Sequence, residues 1–117
     1  MNAVEIEEEV SNLSNKEFNK TEFPFQFLEA FGNKQTTIKK LKSGSSNKSD
    51  INGVLQRNNI HILVCEEGKV DTSLQKLKDS KANIKFKVKF IISTDGRYFG
   101  AEDLNTGETL ACEFKKL

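Results

Sequence analysis

Histidine and cysteine are scarce in this sequence: one His and two Cys among 117 residues. That supply excludes a four-ligand zinc site and a disulfide framework, and leaves Cys65 and Cys112 expected as reduced, buried thiols. Also missing is any apolar run approaching the roughly 20 residues that cross a bilayer. Residues 1–10 carry four glutamates and no base, the wrong charge for a secretory or mitochondrial leader, so a cytoplasmic chain with no membrane contact is expected. No Walker-type phosphate loop, no Gly-x-Gly-x-x-Gly, no internal repeat and no long low-complexity tract occurs. A net charge of +1 excludes bulk electrostatic attraction to nucleic acid or membrane, so any such contact has to be local. The length suits one modest core, residues 1–117 as a single domain, and is too short for two.

The charge that is present is unevenly placed. Residues 1–30 carry a net −5, residues 31–57 a net +5, and the remainder +1. The basic middle reads Lys39, Lys40, Leu41, Lys42, followed by a polar loop, Ser43 to Ser49, that contains Gly44 and Lys48. Lysines around such a loop either hold phosphate or simply keep the loop solvated, since phosphate contacts leave no sharp motif.

The pattern of apolar residues predicts an α+β chain. Ile6, Val10 and Leu13 recur at helical spacing, and Phe23, Phe25, Phe27, Leu28 and Phe31 form a second helical run with Thr21 as its N-cap, Pro24 in its first turn and Gly32 at its end. A short third helix spans Thr36 to Leu41. The period then changes: Asn59 to Cys65 is apolar and β-branched, broken only by His61, as in a strand covered on both faces and placed centrally in a sheet. Asp71 is the expected cap of a crossover helix carrying Leu74 and Leu77 inward. From Ile84 the residues alternate, with Ile84, Phe86, Val88 and Phe90 on one face and Lys85, Lys87 and Lys89 on a wet or bound face. Turn signals at Asp95-Gly96 and Asn105-Thr106-Gly107 make Ile84 to Phe114 a three-stranded antiparallel meander.

Candidate chemistry is sparse. His61 sits within the apolar strand with no nucleophile at a telling spacing, so a structural histidine with satisfied nitrogens is expected. The glutamates beside Cys65 oppose the charge a thiolate needs, leaving it a core residue. Glu66 and Glu67, at the C-terminal edge of the strand, stand where a Mg²⁺-dependent nuclease places carboxylates, and Asp50 lies upstream.

Three stretches carry a resemblance. Glu22-Phe23-Pro24-Phe25-Gln26-Phe27-Leu28-Glu29-Ala30-Phe31-Gly32-Asn33-Lys34 runs on through Thr36-Thr37-Ile38-Lys39-Lys40-Leu41-Lys42-Ser43-Gly44-Ser45. Gly53-Val54-Leu55-Gln56 with Asn58-Asn59-Ile60-His61-Ile62 is the second, and Ala101 to Cys112 the third. Together they resemble the start of bacterial class I S-adenosylmethionine-dependent DNA methyltransferases, the large restriction-modification proteins of the MmeI type. The resemblance implies the N-terminal domain of a longer protein whose methyltransferase and target-recognition domains would follow, with S-adenosylmethionine bound in that parent. In restriction-competent members this region is a nuclease of the PD-(D/E)xK kind.

This chain departs from that pattern at the triad, which reads Asp50, Cys65, Glu67, with a thiol where a metal-binding acid belongs and a carboxylate in place of the lysine. Only a register with Asp50, Glu67 and Lys69 restores it, and that requires the strand to run past Glu66. Three readings follow. The first is a degenerate, non-cleaving nuclease-like domain that holds DNA through Lys39, Lys40, Lys42 and Lys48, aided by the Lys85, Lys87, Lys89 face. The second is an active Mg²⁺-dependent endonuclease, and the third a domain that only packs against other protein.

Overall fold

The computed structural model describes residues 3–13 and 18–113, the side chains of Ala3, Cys112 and Glu113 excepted. Three helices, α1 (Ala3–Leu13), α2 (Phe23–Ala30) and α3 (Gln35–Lys42), precede the sheet. Then come β1 (Val54–Gln56), β2 (Ile60–Val64), α4 (Val70–Asp79), the single turn α5 (Ala82–Lys85), β3 (Phe90–Thr94), β4 (Tyr98–Asp103) and β5 (Thr109–Glu113). The class is α+β, as the sequence pattern predicts. The five strands lie in sequence order, antiparallel throughout except for β2 and β3, which are parallel and therefore need the α4–α5 crossover between them.

Alternation along the strands sends one set of side chains to each face. Val54, Ile60, Ile62, Phe90, Ile92, Phe99 and Ala101 meet α1–α3, where Ile6, Val10, Phe23, Phe27, Leu28 and Leu41 are buried. The aromatic run on α2 supplies much of this layer: each large side chain removed from water stabilises the fold by about 1.5–3 kcal/mol, and Phe23, Phe27 and Leu28 are at most 1% exposed. The opposite set, Leu55 and Ile91, meets Leu77 of α4 together with Ala82 and Val88. β2 is covered on both faces, as its composition predicts, but it is the second strand; the middle one is β3, buried at every residue.

Several local expectations are corrected. Thr21 does not cap α2; Asn19 accepts the Thr21 and Glu22 amides through its side chain, forming a turn, and the helix starts at Phe23. Gly32 does close it, in the left-handed conformation at φ +88°. Asp71 lies inside the first turn of α4, whose N-cap is Lys69. Cys65 is half-buried rather than buried, its sulfur lying 3.5 Å from the Thr94 carbonyl, and the Cys112 side chain and Phe114 lie outside the described residues.

The largest correction concerns residues 84–89. Their alternation reads as strand, yet the chain forms α5, leaves Ile84 85% exposed, and pairs with the sheet only from Phe90. The cause is tertiary. Asn83 is buried and bonded on both sides of its amide, to His61 and to the Leu77 carbonyl, and its own carbonyl accepts from Val88 N–H. That anchor curls the chain before β3. The three-residue strand β1, short and next to a polar loop, escapes the sequence pattern altogether. Gly53 ahead of it is obligatory, because a Cβ there would lie 2.4 Å from the Ile62 carbonyl oxygen.

Candidate nucleic-acid interface

The basic middle of the chain is carried by α3 and the segment leading into β1. Ile38 and Leu41 are the buried residues of α3, which turns Lys39, Lys40 and Lys42 outward. Lys39, Lys40 and Lys48 are exposed and form no ion pair with a described carboxylate. Lys42 differs: its ammonium sits 2.9 Å from Glu22 Oε2 and 5.3 Å from the centre of the Phe25 ring, so its charge is partly engaged. The loop is fixed rather than open. The Ser43 and Ser45 hydroxyls donate to the Lys40 carbonyl, and Asn47 Oδ1 accepts from the Ser49 and Leu55 amides while its Nδ2 donates to the Gly53 carbonyl. Lys48 N–H donates to the Leu55 carbonyl, so the segment lies along the outer edge of β1.

Beneath that loop runs a buried polar chain. Ser49 Oγ accepts from Gly53 N–H at 2.9 Å and from Ile51 N–H at 3.3 Å, so its own proton goes to His61 Nε2, 2.7 Å away. His61 Nδ1 then carries the hydrogen donated to Asn83 Oδ1 at 2.8 Å, and Asn83 Nδ2 donates to the Leu77 carbonyl. His61 is wholly buried and both nitrogens are satisfied, the structural role its setting in an apolar strand predicts. Burial holds its pKa below the ordinary 6.5, against the opposing pull of the Asn83 hydrogen bond and the Asp50 charge, so it is neutral at neutral pH. A serine oxygen with its lone pairs taken by two amides is a hinge pin for the loop rather than a nucleophile.

The triad expected for cleavage is not brought together. β2 ends at Val64, and Glu66-Glu67-Gly68 forms a turn closed by Lys69 N–H on the Glu66 carbonyl. The strand therefore does not reach the register that places Glu67 and Lys69 as an acid-x-lysine pair. Glu67 is exposed and paired with Arg97 at 2.6 Å, which raises the Arg97 pKa, and Lys69 is exposed at the N-cap of α4. Asp50 is at the other end of that helix, where its carboxylate accepts the hydroxyl proton of Ser80, the α4 C-cap, at 2.6 Å. The intervening helix of 10 residues is about 15 Å long. Among the described residues no group of three His, Cys, Asp or Glu side chains is placed to hold a metal ion.

Near Glu67, Asp95 organises the β3–β4 turn. Its carboxylate accepts the Gly68, Arg97 and Tyr98 amides at 2.8–2.9 Å. Burial pulls its pKa upward, but those backbone donors prevail and hold it below the usual carboxylate value.

A second set of cations, Arg57, Lys85, Lys87 and Lys89, gathers around the β1–β2 hairpin. All four are exposed and unpaired with any described carboxylate. Arg57 escapes sequence reasoning because β1 does; the signal available is Asn58-Asn59 ahead of the β2 run, since asparagine tolerates the left-handed turn found at Asn58, φ +64°. Away from these sites, a groove of about 580 Å³ lies between α4 and the β4–β5 face, lined in part by Val70, Leu74, Gly100 and the 48% exposed Tyr98. No described helix is long and apolar enough to cross a membrane.

Fold and site define a small α+β domain with two groups of exposed cations and no cluster of three metal-ligating side chains among the described residues. The family described as MmeI, N-terminal domain, matches residues 1–117, the whole chain, and the chain belongs to that family of restriction-modification associated domains. No curated protein and no solved structure matches it.

Proposed function

We propose that this domain holds duplex DNA by its phosphate backbone, without cleaving it, as a scaffold for the methyltransferase and target-recognition domains of a bacterial restriction-modification protein. The cofactor in this reading, S-adenosylmethionine, serves those other domains. The observation that carries it is the exposure of Lys39 and Lys40 on α3 and of Lys48 on the loop bonded to β1, all free of described carboxylate partners. Ammonium groups held on a rigid backbone release counterions on meeting phosphate, and this sets both affinity and its salt dependence. The separation of Asp50 from Glu67 and Lys69 supports the absence of cleavage.

The test is the salt dependence of binding to a random-sequence duplex. Replacing Lys39, Lys40, Lys42 and Lys48 by alanine lowers the affinity and flattens the plot of log K against log salt by about 0.9 for each phosphate that is no longer neutralised. An unchanged slope contradicts the proposal.

A second reading, a surface that packs against other protein, is favoured by the β4–β5 groove with its exposed Tyr98. Binding of DNA by the chain on its own counts against that reading as the whole function.

A further inference from the structure

The turn joining β1 to β2 meets the segment joining α5 to β3 through backbone hydrogen bonds. Asn58 N–H donates to the Phe86 carbonyl at 2.8 Å, and Lys89 N–H to the Asn59 carbonyl at 2.8 Å. These bonds seat Arg57, Lys87 and Lys89 on two adjoining stretches of fixed backbone, with Lys85 closing α5 beside them, its ammonium 5.4 Å from the centre of the Phe86 ring. Asp103, paired with Phe90 in the sheet next to Lys89, is engaged by the Asn105 and Thr106 amides of its own turn. No carboxylate among the described residues neutralises the four cations.

The backbone of Lys87 is fixed by the end of α5. It is left-handed, φ +56°, a conformation in which a residue with a Cβ is strained and glycine is not. Its side chain is exposed, and the conformation is the one that closes α5, with Lys87 N–H on the Ile84 carbonyl and Val88 N–H on the Asn83 carbonyl.

The corner also adjoins the first group of lysines. Lys48 is bonded to Leu55, two residues before Arg57, or about 7 Å along the strand. A duplex carries a charge every ~1.7 Å of its axis, a spacing finer than the separation of Lys48 from Arg57 along the chain.

We propose that the β1–β2 hairpin end is a second contact for the phosphate backbone of duplex DNA, with Arg57 and Lys87 at its centre and Lys85 and Lys89 flanking. This rests on the DNA-holding reading and adds to it a surface that the α3 lysines do not include.

The experiment compares the full chain with two variants, Arg57→Gln/Lys87→Gln and Lys39→Gln/Lys40→Gln/Lys48→Gln, in titrations of a random-sequence duplex over a range of salt. Both variants change only exposed side chains, and their melting curves verify that they fold. The hairpin variant is expected to bind more weakly, with a slope shallower by about 0.9 for each phosphate it ceases to neutralise. If it keeps the wild-type slope while the α3-loop variant shows a flatter one, the hairpin assignment is wrong and the α3 assignment stands. If the hairpin variant alone flattens, the hairpin assignment stands and the α3 assignment fails; if the full chain shows no salt-dependent binding, both fail. Lys87→Gly supplies an independent check: it melts higher, because the backbone strain is gone, and binds DNA more weakly, because the cation is gone. A variant that melts higher and binds as tightly as the original overturns the role of Lys87.

Discussion

The two ends of β2 carry similar amounts of charge and use it differently. At the C-terminal end, Glu67 is paired with Arg97, and Asp95 is saturated by three amides. At the N-terminal end, Arg57, Lys87 and Lys89 stand on fixed backbone with no described carboxylate against them. Charge already matched within the fold closes a turn, whereas charge left unmatched on a rigid support is available to a ligand. Glu67, one of the carboxylates that invite a nuclease reading, belongs to the first kind.

Between the ends lies the Ser49–His61–Asn83 chain, and breaking it gives the largest effect. His61→Ala leaves the Ser49 hydroxyl proton and the buried Asn83 Oδ1 without a partner, a loss of about 3 kcal/mol at roughly one to three per orphaned group, measurable by chemical denaturation, and it loosens the loop that bears Lys48. A destabilisation no larger than that of an exposed substitution would show that the chain of bonds is not closed.

The same residue sets a pH dependence. Its folded pKa lies below the unfolded 6.5, so the unfolded state takes up a proton first and its neutral form favours folding at high pH. That contribution is complete above about 6.5 and is lost as pH falls toward the lowered folded value; Asp95, also depressed, adds a loss at more acid pH. Replacing His61 by glutamine removes the upper part of this decline in a series of denaturation curves.

Smaller effects sharpen the contrast between the ends. Relief of the left-handed backbone by Lys87→Gly raises stability by about 1 kcal/mol. Among the α3 lysines, Lys42→Ala weakens DNA binding less than Lys39→Ala or Lys40→Ala, because Glu22 and Phe25 already engage its ammonium. Smallest of all, Glu67→Gln leaves the melting temperature within measurement scatter, since the pair with Arg97 is open to solvent.

Much of this architecture is legible in the sequence wherever local pattern and tertiary burial agree. The α2 aromatics, the β2 run and the turns at Asp95-Gly96 and Asn105-Thr106-Gly107 each have a periodicity or a turn chemistry that the fold keeps. Residues 84–89 mislead because Asn83, a polar residue with no mark of burial in its neighbours, anchors the chain through His61 and Leu77. β1 leaves no trace because three residues carry too little alternation to register. The exposure of Lys39, Lys40 and Lys48 follows from the spacing of Ile38 and Leu41 and from the polar loop beyond them. The hairpin corner does not, because it depends on Asn58 and Phe86, far apart in the chain, sharing a hydrogen bond.

The most direct test neutralises each end of β2 in turn and reads the salt dependence of duplex binding. Arg57→Gln/Lys87→Gln at the basic end is predicted to flatten the slope, and Glu66→Gln/Glu67→Gln at the acidic end to leave it as in the original chain. Equal slopes for all three proteins would contradict the account.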